Sequence, residues 1–199
     1  MPIGPGGLDS NGIWQFGEDD SEALASDLLN LGMASVSTAI GGLGGAGILQ
    51  VVSTTKTDTW SASLGAGATS SEVTGFTVSI TPSSASNKIF ITATITGAVQ
   101  SQTGYILYRD GAPMDYRGDA AGSRTRVSTA AGSSAYGESV TFNYLDSPAT
   151  TSSTTYSLRI LNAEAGTVTA YLNRNPVSDG DAAQTWRAAS TITVMEIAG

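Results

Sequence analysis

The chain contains no cysteine and no histidine. The first absence excludes disulfides, thiol nucleophiles and zinc–thiolate sites. The second removes the commonest general base and metal ligand. A catalytic site would have to be assembled from carboxylates, lysine or tyrosine alone. Charge is scarce too: 13% of the residues are Asp, Glu, Lys or Arg, against a usual share of about 25%. Nine basic residues face seventeen acidic ones, for a net charge of −8. Such a chain has no electrostatic footprint for a phosphate backbone, so nucleic acid is not an expected partner. No apolar run approaches the roughly 20 residues that a membrane span needs, and membrane insertion is not expected. The opening Met-Pro-Ile-Gly-Pro-Gly-Gly lacks the basic and apolar stretches of a signal peptide, which predicts synthesis in a cytoplasm.

What fills the gap is Ser, Thr, Gly and Ala. Together with 40% apolar residues, this composition predicts a strand-rich protein with one core, its surface kept wet by hydroxyl groups. Three regions separate along the chain. Residues 1–40 read as an attachment segment. Its first part is rich in Gly, Pro and Asp, with Ile13, Trp14 and Phe16 as isolated large side chains suited to docking in the grooves of another protein. Asp19 and Glu22 then have the spacing of a capping box, and the acids there favour a helix N-terminus. Leu24, Leu28 and Leu31 fall on one helical face, while Leu29, Met33, Val36 and Ile40 form a second stripe. Either a helix ends near Asn30 to Gly32 and a further turn or two follows, or one helix is buried on both faces. The apolar surface predicts that this segment packs on copies of itself or on a host particle, and a homotrimer is the expected assembly. Residues 41–47, with five glycines in seven, read as a flexible linker.

Residues 48–199 read as a β-domain. Ile48 to Val52 opens it, with Thr55 to Ser61 continuing after a turn. Phe76, Val78 and Ile80 alternate with Thr77 and Ser79, and Ile89, Ile91, Ala93 and Ile95 share one face of a strand beginning at Lys88. Tyr105 to Tyr108 runs into Asp110-Gly111, a strong hairpin signal. Val140 to Leu145, Tyr156 to Leu161, Val168 to Leu172 and Thr191 to Ile197 complete the set. The expected fold is mainly β, an antiparallel, jelly-roll-like β-sandwich head preceded by a short helical anchor.

Chemistry-bearing motifs are few. Asp179 and Asp181 flank a glycine without the rest of a calcium loop, and read as a solvated turn. No carboxylate pair suited to glycoside hydrolysis stands out. No enzyme, cofactor or metal is expected. Two loops carry the aromatic and hydrogen-bonding groups of a recognition surface: one around Tyr116 and Arg117, the other from Asn173 to Arg187 with Trp186.

The opening GPGGLDSNGIWQFGEDDSEALASDLLNLGMASVS resembles the N-termini of small minor tail proteins of phages that infect actinobacteria. The stretches ILQVVSTTKTDTW, VTGFTVSITPSSASNKIFI, YRDGAPM, FNYLDSPATTSSTTYSLRI and STITVMEIAG resemble a head module of phage tail-fibre and virion proteins. The resemblance covers most of the chain. It implies a virion structural protein, a tail-associated fibre or receptor-binding protein. In that reading Ile13, Trp14, Phe16, Leu24, Leu28 and Leu31 anchor it to other virion proteins, and the head meets a host cell-surface glycan. A capsid decoration or head-fibre protein without a specific receptor is the alternative.

Overall fold

Alternation of β-branched or aromatic residues with Ser and Thr gives strands with one dry and one wet face, and two antiparallel sheets built this way close over one core. The computed structural model describes residues 7–8, 14–15, 47–99, 102–131, 137–176, 180–183 and 185–199. The chain divides into two units, Met1–Ala46 and Gly47–Gly199. In the first, β1 (Gly7–Leu8) pairs antiparallel with β2 (Trp14–Gln15). The helix expected over residues 19–40 lies outside the described residues, as do Ile13, Phe16, Leu24, Leu28 and Leu31.

The second unit contains β3 (Ile48–Lys56), β4 (Trp60–Leu64), β5 (Thr77–Ile80), β6 (Lys88–Val99), β7 (Thr103–Arg109), β8 (Ala112–Pro113), β9 (Thr129–Ala131), β10 (Glu138–Asp146), β11 (Thr154–Asn162), β12 (Val168–Leu172) and β13 (Ser190–Ile197). One sheet runs β3-β13-β6-β12-β4, with β10 on the far edge of β6; the other runs β5-β11-β7-β8, with β9 also on β7. Their inner faces share a core: Ile91, Ile95, Phe142, Ile192 and Val194 from the first meet Val78, Leu107, Tyr156, Leu158 and Ile160 from the second. The alternations at Phe76–Ile80 and Ile89–Ile95 fall inward as the sequence predicts. One expected break is absent: Ile48–Lys56 is a single strand, not two segments around a turn. Register with β13 holds it straight from Gln50 to Lys56, and the true turn follows at residues 57–59.

Asp110 and Gly111 link β7 to β8 with φ of 49° and 80°. Positive φ at both central residues defines the hairpin turn whose twist matches the strands. Tolerance of that conformation is why Asp-Gly stands here.

The long strand β6 is shared on one edge by two partners. β13 pairs with Lys88–Thr94 and β12 with Gly97–Val99. Where they part, Asn173, in a left-handed conformation at φ 60°, closes the gap. Its backbone N–H donates to the Thr96 carbonyl (2.9 Å), and its Nδ2 donates to the carbonyls of Lys56 (2.8 Å) and Asp58 (3.1 Å). Its Oδ1 accepts from the Ser190 hydroxyl, which in turn accepts from the Thr96 N–H. Backbone groups left unpaired by the diverging strands thus regain partners, as burial requires.

A second polar node closes the other end of β13. Glu196 points inward and is 1% exposed. Its Oε1 accepts from the Ser83 N–H (2.7 Å), the Ser83 hydroxyl (2.7 Å) and Asn87 Nδ2 (2.5 Å), and its Oε2 accepts from Gln50 Nε2 (2.6 Å). One carboxylate therefore ties β13, β3 and the turn before β6 together.

Candidate functional site

The hairpin β7–β8 and the end of β10 enclose a cleft of about 520 Å³. Position in the sheets decides what lines it. Arg109 ends β7 and Asp146 ends β10, so the two side chains meet although the strands belong to different sheets. Arg109 Nη1 donates to both oxygens of Asp146, at 2.9 and 2.8 Å. Behind them the Tyr156 hydroxyl donates to Asp146 Oδ2 at 2.7 Å. Asp146 is buried, whereas the Arg109 side chain is 38% exposed. The carboxylate therefore works from inside to fix a guanidinium that faces outward. The hydrogen bond to Asp146 raises the pKa of Arg109 above its ordinary value. Burial and then the same carboxylate raise that of Tyr156.

The rest of the lining is mixed. Asp110 stands at the turn, its Oδ1 accepting from the Thr155 N–H at 2.8 Å, and Asp115 is fully in solvent. Tyr144 forms the apolar wall, with Met114 beneath. Tyr144 is backed by Tyr116, the rings stacked 4.6 Å apart at 25°. Asp110, Asp115 and Asp146 outnumber Arg109 and Arg117, whose Nη2 stands 3.8 Å from Asp115, and this slight excess of negative charge disfavours anionic ligands. An oriented donor, carboxylate acceptors and an aromatic wall suit a neutral polyol, whose hydroxyls donate and accept and whose C–H faces pack on rings. Among the described residues no three acidic side chains come together as metal ligands.

The recognition residues expected from sequence lie as follows. Tyr116 is half-buried between Tyr144 and Phe142 and supports the cleft from behind. Arg117 folds back, its Nε donating to the Met114 carbonyl at 2.8 Å, with Asp115 at 3.8 Å from its Nη2. Both brace the segment carrying Met114 and Asp115. Trp186 lies elsewhere, half-buried over Gly137, where any side chain would strike its six-membered ring. The loop around Tyr116 and Arg117 packs behind this cleft, whereas Arg109, Tyr144 and Asp146 do not stand out in the sequence as site residues. The hairpin signal at Asp110-Gly111 was the available clue, since it makes Arg109 a strand end beside a turn.

No protein-family model matches the chain, nor does any curated sequence. Among solved structures, the VP2 protein of infectious bursal disease virus in T=1 particles aligns over 98% of this chain and 40% of its own, with a TM-score of 0.38 and 16% identity. The structure of the Gx strain of that virus aligns over 98% and 43%, with a TM-score of 0.38 and 15% identity. A VP2 subviral particle aligns over 74% and 39%, with a TM-score of 0.36 and 13% identity. The chain spans about two-fifths of the length of these proteins.

Proposed function

We propose that this chain is a structural protein of a bacteriophage particle, a tail-associated fibre head that meets the host surface through the β7–β8 cleft. Residues 1–40 hold it on the virion, residues 41–47 give it reach, and residues 48–199 form the head, the whole assembling as a homotrimer. The N-terminal and β-domain motifs that resemble phage tail proteins support the virion reading. The observation that carries recognition is Arg109, pinned by buried Asp146 at the mouth of a cleft with an aromatic wall.

The same geometry favours binding over cleavage. Asp146 is committed to Arg109 and Tyr156, and Asp110 accepts from the Thr155 N–H. The ligand class is a neutral glycan of the host envelope.

Adsorption of the purified full chain to actinobacterial host cells tests this. Saturable binding is expected, competed by free cell-wall glycan. Arg109→Ala should weaken it about tenfold to a hundredfold, as expected when charge-assisted hydrogen bonds worth about 1.5–3 kcal/mol are lost. Arg124→Ala, on an exposed turn, should bind as the parent does. Equal binding by Arg109→Ala and its parent would remove the cleft from the proposal. Absence of saturable binding by the parent would leave a decoration protein.

A further inference from the structure

We propose that the outward face of β3, β13, β6 and β10 is a contact between copies of this chain. Strand register assembles there what the sequence keeps far apart. Val51 lies opposite Met195, Met195 opposite Phe90, and Phe90 opposite Leu145. All four point away from the core, forming an apolar row across four strands, about 14 Å long at ~4.8 Å per strand. The large hydrophobic residues that stand exposed among the described residues are Ile48 (59%), Leu49 (49%), Val51 (55%) and Leu145 (47%). All of them belong to this one end of this one face. Clustering of that kind marks a contact surface, whereas scattered exposed apolar residues do not.

Charge identifies the occupant. Ile197 apart, the remaining outward positions of these strands are mostly hydroxyl or amide residues, several bonded across strands, such as Ser53 with Thr193 (2.8 Å) and Thr94 with Thr141 (3.1 Å). Lys88 is the charged exception, and its Nζ donates to the Ser147 hydroxyl at 2.9 Å. Among the described residues the face carries no carboxylate, in a chain of net charge −8. Two copies can approach here without the repulsion they would meet elsewhere, while a charged partner would find nothing to pair with. The edge strand adds to this. Among the described residues β3 pairs along one edge only, with β13, and from Ile48 to Thr55 it has none of the Lys, Pro or other charge that guards an exposed edge.

The cysteine-free sequence makes the test direct. In the full chain, Val51→Cys, made together with Leu145→Cys so that each end of the row carries a thiol, should form a covalent dimer on mild oxidation. Ala165→Cys, in the turn between β11 and β12 at the far end of the sandwich, should stay uncrosslinked. By sedimentation the parent should be an oligomer at micromolar concentration, and Val51→Glu with Leu145→Glu should move it to lower mass. A monomeric parent would overturn the proposal. So would Val51→Cys with Leu145→Cys that does not crosslink, which would place any assembly outside this face, or equal crosslinking by Ala165→Cys. Arg109→Ala should crosslink through Val51→Cys and Leu145→Cys as the parent does, so failure of the cleft and failure of the face are told apart.

Discussion

Glu196→Ala is expected to destabilise the β-domain by about 1–3 kcal/mol, the cost of removing a charged acceptor from a buried hydrogen-bond network. The substitution would leave buried Asn87 Nδ2 with the Ser83 hydroxyl alone, at a desolvation cost of about 1–3 kcal/mol, while the exposed Ser83 N–H can turn to water and half-buried Gln50 Nε2 keeps the Thr81 carbonyl. A domain of this size is stable by about 5–15 kcal/mol, so a measurable part of the total is at stake. Denaturant titration of parent and variant measures it. Acid provides a second reading. Burial alone would raise the carboxyl pKa, but the hydrogen bonds from Asn87, Gln50 and Ser83 overcome it and hold the group at about 2, against an ordinary 4.5. A depressed folded-state pKa means the contribution is complete above pH 4.5 and is lost as pH falls towards 2. The stability difference between parent and Glu196→Ala should therefore shrink over that window. A difference below 1 kcal/mol at neutral pH, or one independent of pH, would contradict the network's role.

At the alkaline end, cooperative unfolding is expected above pH 10, driven by two buried phenols. Burial pushes Tyr105 up to about 12 from an ordinary 10.0, helped by the charge of Glu138. Tyr156 is raised by burial first and by its hydrogen bond to Asp146 second. A raised folded-state pKa means that the stability is present in full below the unfolded value. It is then lost as pH climbs through the window between them. For Tyr105 alone, two pH units correspond to about 3 kcal/mol. Of the seven tyrosines, these two should ionise only as the fold is lost. In a tyrosinate absorbance titration their share should appear in one step, together with loss of the near-ultraviolet dichroism. Gradual ionisation of all seven with the dichroism intact would contradict the burial argument. Tyr156→Phe should lower the step and leave Asp146 with Arg109 alone.

Much of the fold was legible because its determinants are local. Period-two alternation marks β5 and β6, and Asp110-Gly111 marks the hairpin, since both depend on neighbours within a few residues. The polar nodes were not legible. Glu196 occupies an inward position in the series Ser190, Ile192, Val194, where the pattern demands an apolar residue. What makes it tolerable are Ser83 and Gln50, 113 and 146 residues away. The cleft has the same character: Arg109 and Asp146 stand 37 residues apart in different sheets. The outward apolar row is a product of register, and Val51 or Leu145 taken singly looks like an ordinary strand residue. Tyr116 and Arg117 stand out in the sequence as contact residues because their loop is rich in charge and aromatics. The structure turns Tyr116 towards Tyr144 and Arg117 towards the backbone, and both shape the cleft from behind.

The head is expected to stand outward on the tail, where it can meet the host. Electron microscopy of intact virions with gold-labelled antibody against residues 48–199 tests it most directly. Label is expected at the tail or its tip. Label spread evenly over the capsid would contradict it and make this chain a decoration protein.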